Sequence, residues 1–375
     1  MAIVAWQPLL TSHAAHTLAA FGRAMGEPVR AVVLRTEDAL RRSQGWLAPQ
    51  DLGIETTVLA PGDGTPPAAG GDVHLFGSPF EAPRLMRMLH RLLARSAEVY
   101  LISEPYSPAS VGYFTHRPRM ADRLRAAARP SLYWIYGRVF VRRAAGVFAI
   151  SPLGVRQFRA IGAKPGRVFP TGYFVPAQIE PLHPRHPRAA DAPLRLVFVG
   201  GLVARKGLAQ LIEAVNRVRR DGLAVDLDVY GAGDPAAFAF DETHIRYRGT
   251  APFGQAGGVM ARYDALVVPS LHDGWGVVVN EGLQAGVPVI ATVKTGAAAV
   301  VRHFGAGLVT EGGATGLAAA IEQLARVPAA LERMREGALR AARVLTPETA
   351  GAYMANCVRA ARSGANPPQN PWYAE

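Results

Sequence analysis

The sequence predicts an α/β protein of two doubly wound domains, each a parallel sheet covered by helices, facing a central cleft. Three observations carry that reading. The chain has 375 residues, enough for two domains that each bury a core. Short apolar runs alternate with helical patterns, as expected of βα units on a parallel sheet. A stretch over 174–194 holding Pro176, Pro181, Pro184, Pro187 and Pro193 denies both helix and central strand, and the alternation restarts beyond it.

Taken in order, 3–6, 29–35, 56–60, 73–76 and 99–103 read as buried strands, and 147–150 as the last strand of the first domain. Helical patterns lie at 13–25 and 83–94, and a short helix over 152–160 follows the last strand. After the prolines, 194–199, 225–230, 245–248, 265–268 and 287–291 supply the second set of strands. Leu208, Leu211, Ile212, Val215 and Val218 form a helical stripe. A further helix begins near Val277 and ends about Ala285. Helices dominate from Gly316, the last covering about 347–362. This places domains at 1–180 and 190–345.

Composition narrows the function classes. With 49% hydrophobic and 19% charged residues the chain is not a disordered one. One cysteine, Cys357, forbids an intramolecular disulfide, and no apolar run is long enough to span a membrane. The start, Met-Ala-Ile-Val-Ala-Trp, lacks a basic leader region, so a cytoplasmic location is expected. The net charge of +12 is uneven: between Glu81 and Arg143 stand twelve arginines against four acids. Such a region suggests an anionic partner, either a membrane surface or a nucleic acid.

The strongest local signal runs from Leu266 to Ile290. A buried strand ends at Pro269-Ser270, a glycine-punctuated loop follows, and a helix starts near Val277. Gly274 and Gly276 let backbone amides approach a ligand, and the new helix presents unpaired N–H groups with positive dipole character, an arrangement that binds phosphate. Glu281, one turn in, leans back toward the same point, and Asp273 stands just before the helix. Carboxylates beside an anion site accept hydrogen bonds from hydroxyls. A phosphate joined to a sugar satisfies both demands. The second signal is Val199-Gly-Gly-Leu-Val-Ala-Arg-Lys-Gly207, between a strand and a helix, where Gly200 and Gly201 precede Arg205 and Lys206. Adjacent cations at a strand's C-terminal end sit where open α/β sheets bind ligands, and could neutralise charge on a departing diphosphate. Cations also disfavour a helix N-terminus, so their presence there asks for an anion.

Two lookalikes read as structural. Gly231-Ala-Gly233 is half of a dinucleotide fingerprint without its third glycine, so a tight turn beside a nucleotide base fits better than NAD binding. Asp226-Leu-Asp228 mimics a metal motif but lies inside a strand, with both acids on one face. No Cys/His cluster exists, so no metal is expected.

Together these motifs resemble the retaining glycosyltransferases of family 4 (glycosyl transferases group 1), which adopt the GT-B fold of two Rossmann-like domains. The family's acid-x7-Glu signature in a Gly-aromatic-Gly loop reads here Asp273-Gly-Trp-Gly-Val-Val-Val-Asn-Glu281. Its phosphate motif matches Gly200 to Gly207, and the likeness extends to Val229–Asp234 and to Gly286-Val-Pro-Val-Ile290. The resemblance covers about 194–310 well. It implies that Lys206 and Arg205 hold the nucleotide diphosphate and that Glu281 binds the ribose. Asp273, with the amides of Trp275 and Gly276, would hold the donor sugar, and Gly231, Gly233, Gly274 and Val277 would complete the donor site. It implies a C-terminal helix, within 346–375, packing back on the first domain. The donor would be a UDP- or GDP-sugar and the acceptor a saccharide or lipid-linked saccharide of surface polysaccharide synthesis. The reaction would be front-side displacement assisted by the leaving diphosphate, with no cofactor, no metal and no protein nucleophile, in a cleft that closes on the donor. The family usually has Glu at Asp273 and often Arg at Gly201, whose charge Arg205 would supply. A sugar-nucleotide epimerase of the same fold and a non-catalytic nucleotide-sugar-binding protein are the alternatives.

The first domain should supply the acceptor side. His13 and His16 follow the first strand and could reach the cleft, and His116 is a further candidate for the catalytic set; the plain alternative for each is a surface or capping histidine. The helix over 84–95 buries Leu85, Met88, Leu89, Leu92 and Leu93 and lines its other side with Arg84, Arg87, Arg91 and Arg95. That side is either a solvated face or a contact with an anionic bilayer. Nucleic acid is not expected, because no aromatics interleave with the arginines.

Overall fold

The structure is a computed structural model, and it describes residues 1–36, 51–60, 62, 71–77, 82–107, 120–176, 192–251 and 254–374. Two parallel sheets organise the chain. The first has seven strands: β1 (Ile3–Gln7), β2 (Val29–Val33), β3 (Glu55–Val58), β4 (Val73–Gly77), β5 (Glu98–Ser103), β6 (Gly146–Ile150) and β7 (Val168–Thr171), in the order β3-β2-β1-β4-β5-β6-β7. The second has six: β8 (Leu194–Val199), β9 (Val225–Tyr230), β10 (Ile245–Tyr247), β11 (Ala265–Val268), β12 (Val289–Thr292) and β13 (Gly307–Thr310), ordered β10-β9-β8-β11-β12-β13. Both sheets are doubly wound. Their strand order reverses direction between β1 and β4, and between β8 and β11. In such sheets the crevice for a ligand opens beyond the strand ends at that switch point.

Contacts divide the chain into two units, one of residues 1–106, 129–176 and 346–371, the other of 107–128, 177–345 and 372–375. In the first, α1 (Ser12–Met25), α2 (Pro83–Ala94) and α4 (Ser151–Ala160) flank the sheet; α3 (Met120–Tyr136), which belongs to this unit from Arg129 on, runs into a π-turn, Gly137–Val141. The amphipathic pattern of α2 is realised as read, with Leu85, Met88, Leu89, Leu92 and Leu93 all buried. In the second unit, α5 (Leu208–Arg220) buries Leu208, Leu211, Ile212, Val215 and Val218 against the strands. Then come α6 (Ala256–Met260), α7 (Val277–Gln284), α8 (Ala298–Phe304), α9 (Gly313–Arg326) and α10 (Pro328–Ala342).

The C-terminal helix α11 (Pro347–Ser363) returns to the first unit and lies along α1. Thr346 caps its start, its Oγ1 accepting from the Thr349 amide at 3.2 Å. Gly351 brings the backbones together, since a Cβ there would stand 2.4 Å from the Ala20 carbonyl carbon. Arg362 ion-pairs with Glu98 at 2.8 Å and ties the helix end to β5.

Four expectations need correction. The strand over 147–150 is not the last of its sheet, because β7 pairs beyond it. Pro170 hid β7; an edge strand tolerates a proline that a central one would not. β13, opened by Gly307, was also passed over. The strand near 56–60 is not buried: all four residues of β3 are exposed, as an edge position paired only to β2 permits. Finally, Arg84 belongs to no free cationic stripe, since its guanidinium donates to the Leu59 carbonyl at 3.0 Å. Residues 174–176 and 192–193 form no regular structure, and the rest of the proline segment lies outside the described residues.

Candidate functional site

Two loops leave the second sheet at its switch point. The first, after β8, carries Gly200 and Gly201 and closes in a short 3-10 turn, Ala204–Lys206, before α5. The second, after β11, carries Pro269 to Gly276 and feeds α7. The Leu271 amide donates to the Arg205 carbonyl at 2.8 Å and laces them together, while Thr292 Oγ1, at the end of β12, donates to the Ser270 carbonyl at 2.6 Å and fixes the second loop.

This brings Lys206, Arg205 and Asp273 into one cluster. Lys206 Nζ meets Asp273 Oδ2 at 2.6 Å, and Arg205 Nη1 stands 4.0 Å from Oδ1. The Asp273 side chain is only 11% exposed and that of Lys206 18%, so water screens the pair weakly. Burial alone would raise the Asp273 pKa. The charges of Lys206 and Arg205, with smaller help from the Lys206 hydrogen bond and His272, outweigh burial and hold the carboxyl below its ordinary value. The site therefore presents a fixed carboxylate and two cations at the ends of adjacent strands.

The mouth of α7 completes it. Gly276 has φ +89 and turns the chain into the helix; a Cβ there would come within 2.9 Å of Thr295 Cγ2. Val277 opens the helix and is partly exposed, while Gly274 is buried. Trp275 is also buried, at 1% exposure, and its Nε1 donates to Asn280 Oδ1 at 2.9 Å. Its side chain props the helix start, leaving only its backbone for a ligand. Gly231 and Gly233 fold against the β8 loop: the Leu202 amide donates to the Ala232 carbonyl at 2.8 Å, and Leu202 bridges to Gly233. At Gly200 and Gly201 an added Cβ would meet nothing closer than 3.5 Å, so their lack of side chains leaves room above β8 rather than relieving a clash.

Glu281 sits one turn into α7, partly buried. Loss of hydration pushes its carboxyl from an ordinary 4.5 up to about 7. The folded chain thus keeps this proton where the unfolded chain has lost it. Glu281 costs no stability below about pH 4.5 and destabilises increasingly as the pH rises to about 7. Glu281→Gln is expected to remove that slope, raising Tm at about pH 8 and leaving it unchanged near pH 4, as a melting series across pH would show. Parallel Tm-against-pH curves for the two proteins would contradict the assignment.

Sequence reasoning missed two supports. The loop after β12 holds Asp273 in place: the Asp273 amide donates to the Lys294 carbonyl at 3.0 Å, and the Gly296 amide to the Asp273 carbonyl at 3.1 Å. Its position at a strand end beside β11 was the available signal. The second is Tyr373, whose ring lies 6.5 Å from that of Trp275, centroid to centroid. No local pattern announces a chain terminus packed on a distant loop.

Asp226 and Asp228 hold arginines. Arg246 Nε meets Asp228 Oδ1 at 2.8 Å, Arg248 Nε meets Oδ2 at 3.3 Å, and Arg219 reaches Asp226 at 3.6 Å. Among the described residues no group of three or more His, Cys, Asp or Glu stands close enough to hold a metal ion.

The first sheet has its own cavity, of about 100 Å³, at the β1/β4 switch point. Gln7, Thr11, His13, Arg35, Thr171 and Tyr173 are among its walls. His13 Nε2 is 3.2 Å from Thr11 Oγ1, and its ring meets Tyr173 edge-on at 4.6 Å. His16 does not line this cavity. Burial lowers its pKa, opposed by the charges of Glu348 and Asp51. His116 lies outside the described residues.

Residues 193–326 match the family model "Glycosyl transferases group 1". Over 166 residues the chain is 28% identical to the glycogen synthase of Mycobacterium tuberculosis (strain ATCC 25618 / H37Rv), covering 42% of this chain and 40% of that one. Over 155 residues it is 34% identical to the lipopolysaccharide core biosynthesis glycosyltransferase LpsD of Rhizobium meliloti (strain 1021), covering 38% and 42%. The chain thus spans about two fifths of the length of these curated relatives. Among solved structures, Anabaena Alr3699/HepE in complex with UDP superposes with a TM-score of 0.64 at 14% identity, covering 96% of this chain and 100% of that one. WaaG, a glycosyltransferase involved in lipopolysaccharide biosynthesis, gives 0.55 at 17% identity, covering 93% and 98%. These likenesses show the fold: two Rossmann-like parallel-sheet domains, as in GT-B glycosyltransferases.

Proposed function

We propose that the chain is a glycosyltransferase of glycan or polysaccharide biosynthesis, using a nucleotide-sugar donor and retaining the anomeric configuration. The observation that carries this reading is the 2.6 Å contact of Lys206 with Asp273, beside Arg205 and before the mouth of α7. Cations, the mouth of a helix and the hydroxyl-accepting carboxylate of Asp273 stand together there, the needs of a diphosphate joined to a sugar. The match of 193–326 to the group 1 model and the likeness to polysaccharide-building glycosyltransferases support it.

Lys206 and Arg205 take the diphosphate charge that builds as the bond from sugar C1 to phosphate oxygen breaks. Asp273 then exchanges its lysine contact for donor hydroxyls, and Glu281 accepts from the ribose. The acceptor hydroxyl bonds to C1 on the face the diphosphate leaves, passing its proton to the departing phosphate oxygen. The cations do this without a metal. The acceptor is a saccharide, free or lipid-linked, met from the first domain, where the His13 cavity faces the strand ends.

Incubation with a panel of UDP-, GDP- and ADP-sugars and saccharide acceptors, with chelator present, tests this. The expected product carries the donor's anomeric configuration by NMR. An inverted product, or turnover only with added divalent metal, would refute the mechanism.

A further inference from the structure

Large apolar side chains are rarely left in water in a group, yet the stretch from α3 through the π-turn exposes Leu132 (54%), Trp134 (51%), Ile135 (51%) and Val139 (38%). They cannot turn inward. Tyr136 and Val141 are buried behind them, and Gly137 packs so closely on the Ile161 carbonyl that a Cβ would stand 2.1 Å from its oxygen. The widened turn, closed by the Arg142 amide donating to the Gly137 carbonyl at 3.0 Å, therefore holds a fixed apolar ridge outward.

Cations rim that ridge. Arg138 lies over the Trp134 ring at 3.9 Å, and Arg142 is exposed just beyond it. The solvent face of α2 abuts the same turn, where the His90 and Phe140 rings stand 6.4 Å apart, edge to face. His90 is flanked on that face by exposed Arg87 and Arg91. Neither 83–95 nor 129–143 contains an acidic residue.

We propose that this face docks the protein on an anionic lipid bilayer, Trp134, Ile135 and Val139 entering the headgroup boundary while the arginines meet lipid phosphates. An interfacial tryptophan beside apolar side chains, ringed by uncompensated arginines, suits a surface that is apolar beneath and anionic above. The arginines that face the bilayer differ from those the α2 stripe alone suggests, since Arg84 is held by Leu59. The proposal uses residues of the first unit alone and stands independently of the donor site.

Flotation of the full chain with vesicles tests it. With about 30% phosphatidylglycerol in phosphatidylcholine at about 0.1 M salt, binding is expected, with little on phosphatidylcholine alone. Trp134→Ser/Ile135→Ser should weaken binding at least tenfold, and Arg87→Ser/Arg91→Ser about fivefold per arginine. All four side chains are exposed, so unchanged melting temperatures are expected to confirm that both variants fold. Equal binding to neutral and anionic vesicles, or binding that both variants retain, would overturn the proposal. So would self-association or DNA binding through this patch with no affinity for vesicles.

Discussion

Lys206→Ala is expected to lower kcat/KM by about 10²–10³-fold, as removal of one preorganised charge from a developing oxyanion does. The same substitution should cost about 2 kcal/mol of stability, because it leaves Asp273 largely buried with only the 4.0 Å contact to Arg205. The two effects have different origins and can be separated. Adding Asp273→Ala removes the stranded charge, so the double variant should recover most of the lost stability yet remain inactive. Urea unfolding of both variants beside initial rates reads this directly. A double variant as unstable as the single one would mean that the pair is not energetically coupled.

Gly207→Ala carries the largest structural effect. Gly207 has φ +72, caps the 3-10 turn that aims Arg205 and Lys206, and would place a Cβ 1.9 Å from the Pro269 carbonyl oxygen. That oxygen belongs to the neighbouring loop's backbone and cannot swing aside, so the loops after β8 and β11 would have to part. A loss of at least about 3 kcal/mol is expected. Gly222 supplies the control: it also has positive φ, +87, but a Cβ there meets nothing within 4 Å, so Gly222→Ala should cost only about 1 kcal/mol. Equal losses at the two positions, by urea unfolding, would show that the contact between the loops does not matter.

Much of the fold was legible because its signals are local. Val225–Tyr230 and Ala265–Val268 are apolar runs between turn residues, and the α2 stripe repeats at helical spacing; each forms as read. The acid and cation motifs were legible for a related reason: each occupies one loop at a strand end. That Lys206 and Asp273 touch was not legible, since 67 residues separate them and the meeting depends on β8 and β11 being neighbours. β7 and β13 escaped notice because Pro170 and Gly307 are poor strand residues that edge positions accept. The exposed ridge at Trp134 shows the converse limit. The sequence reading assigns no element to this stretch, and the outward orientation of its apolar side chains follows from the burial of Tyr136 and Val141 on the opposite side.

Calorimetric titration of UDP- and GDP-sugars into the protein and into Lys206→Ala tests the donor-site assignment most directly. The proposed donor site predicts that one nucleotide family binds, and that the substitution weakens it at least about a hundredfold. Heat of binding from none of them, or an affinity that alanine at this position leaves intact, would contradict a diphosphate held between β8 and the start of α7.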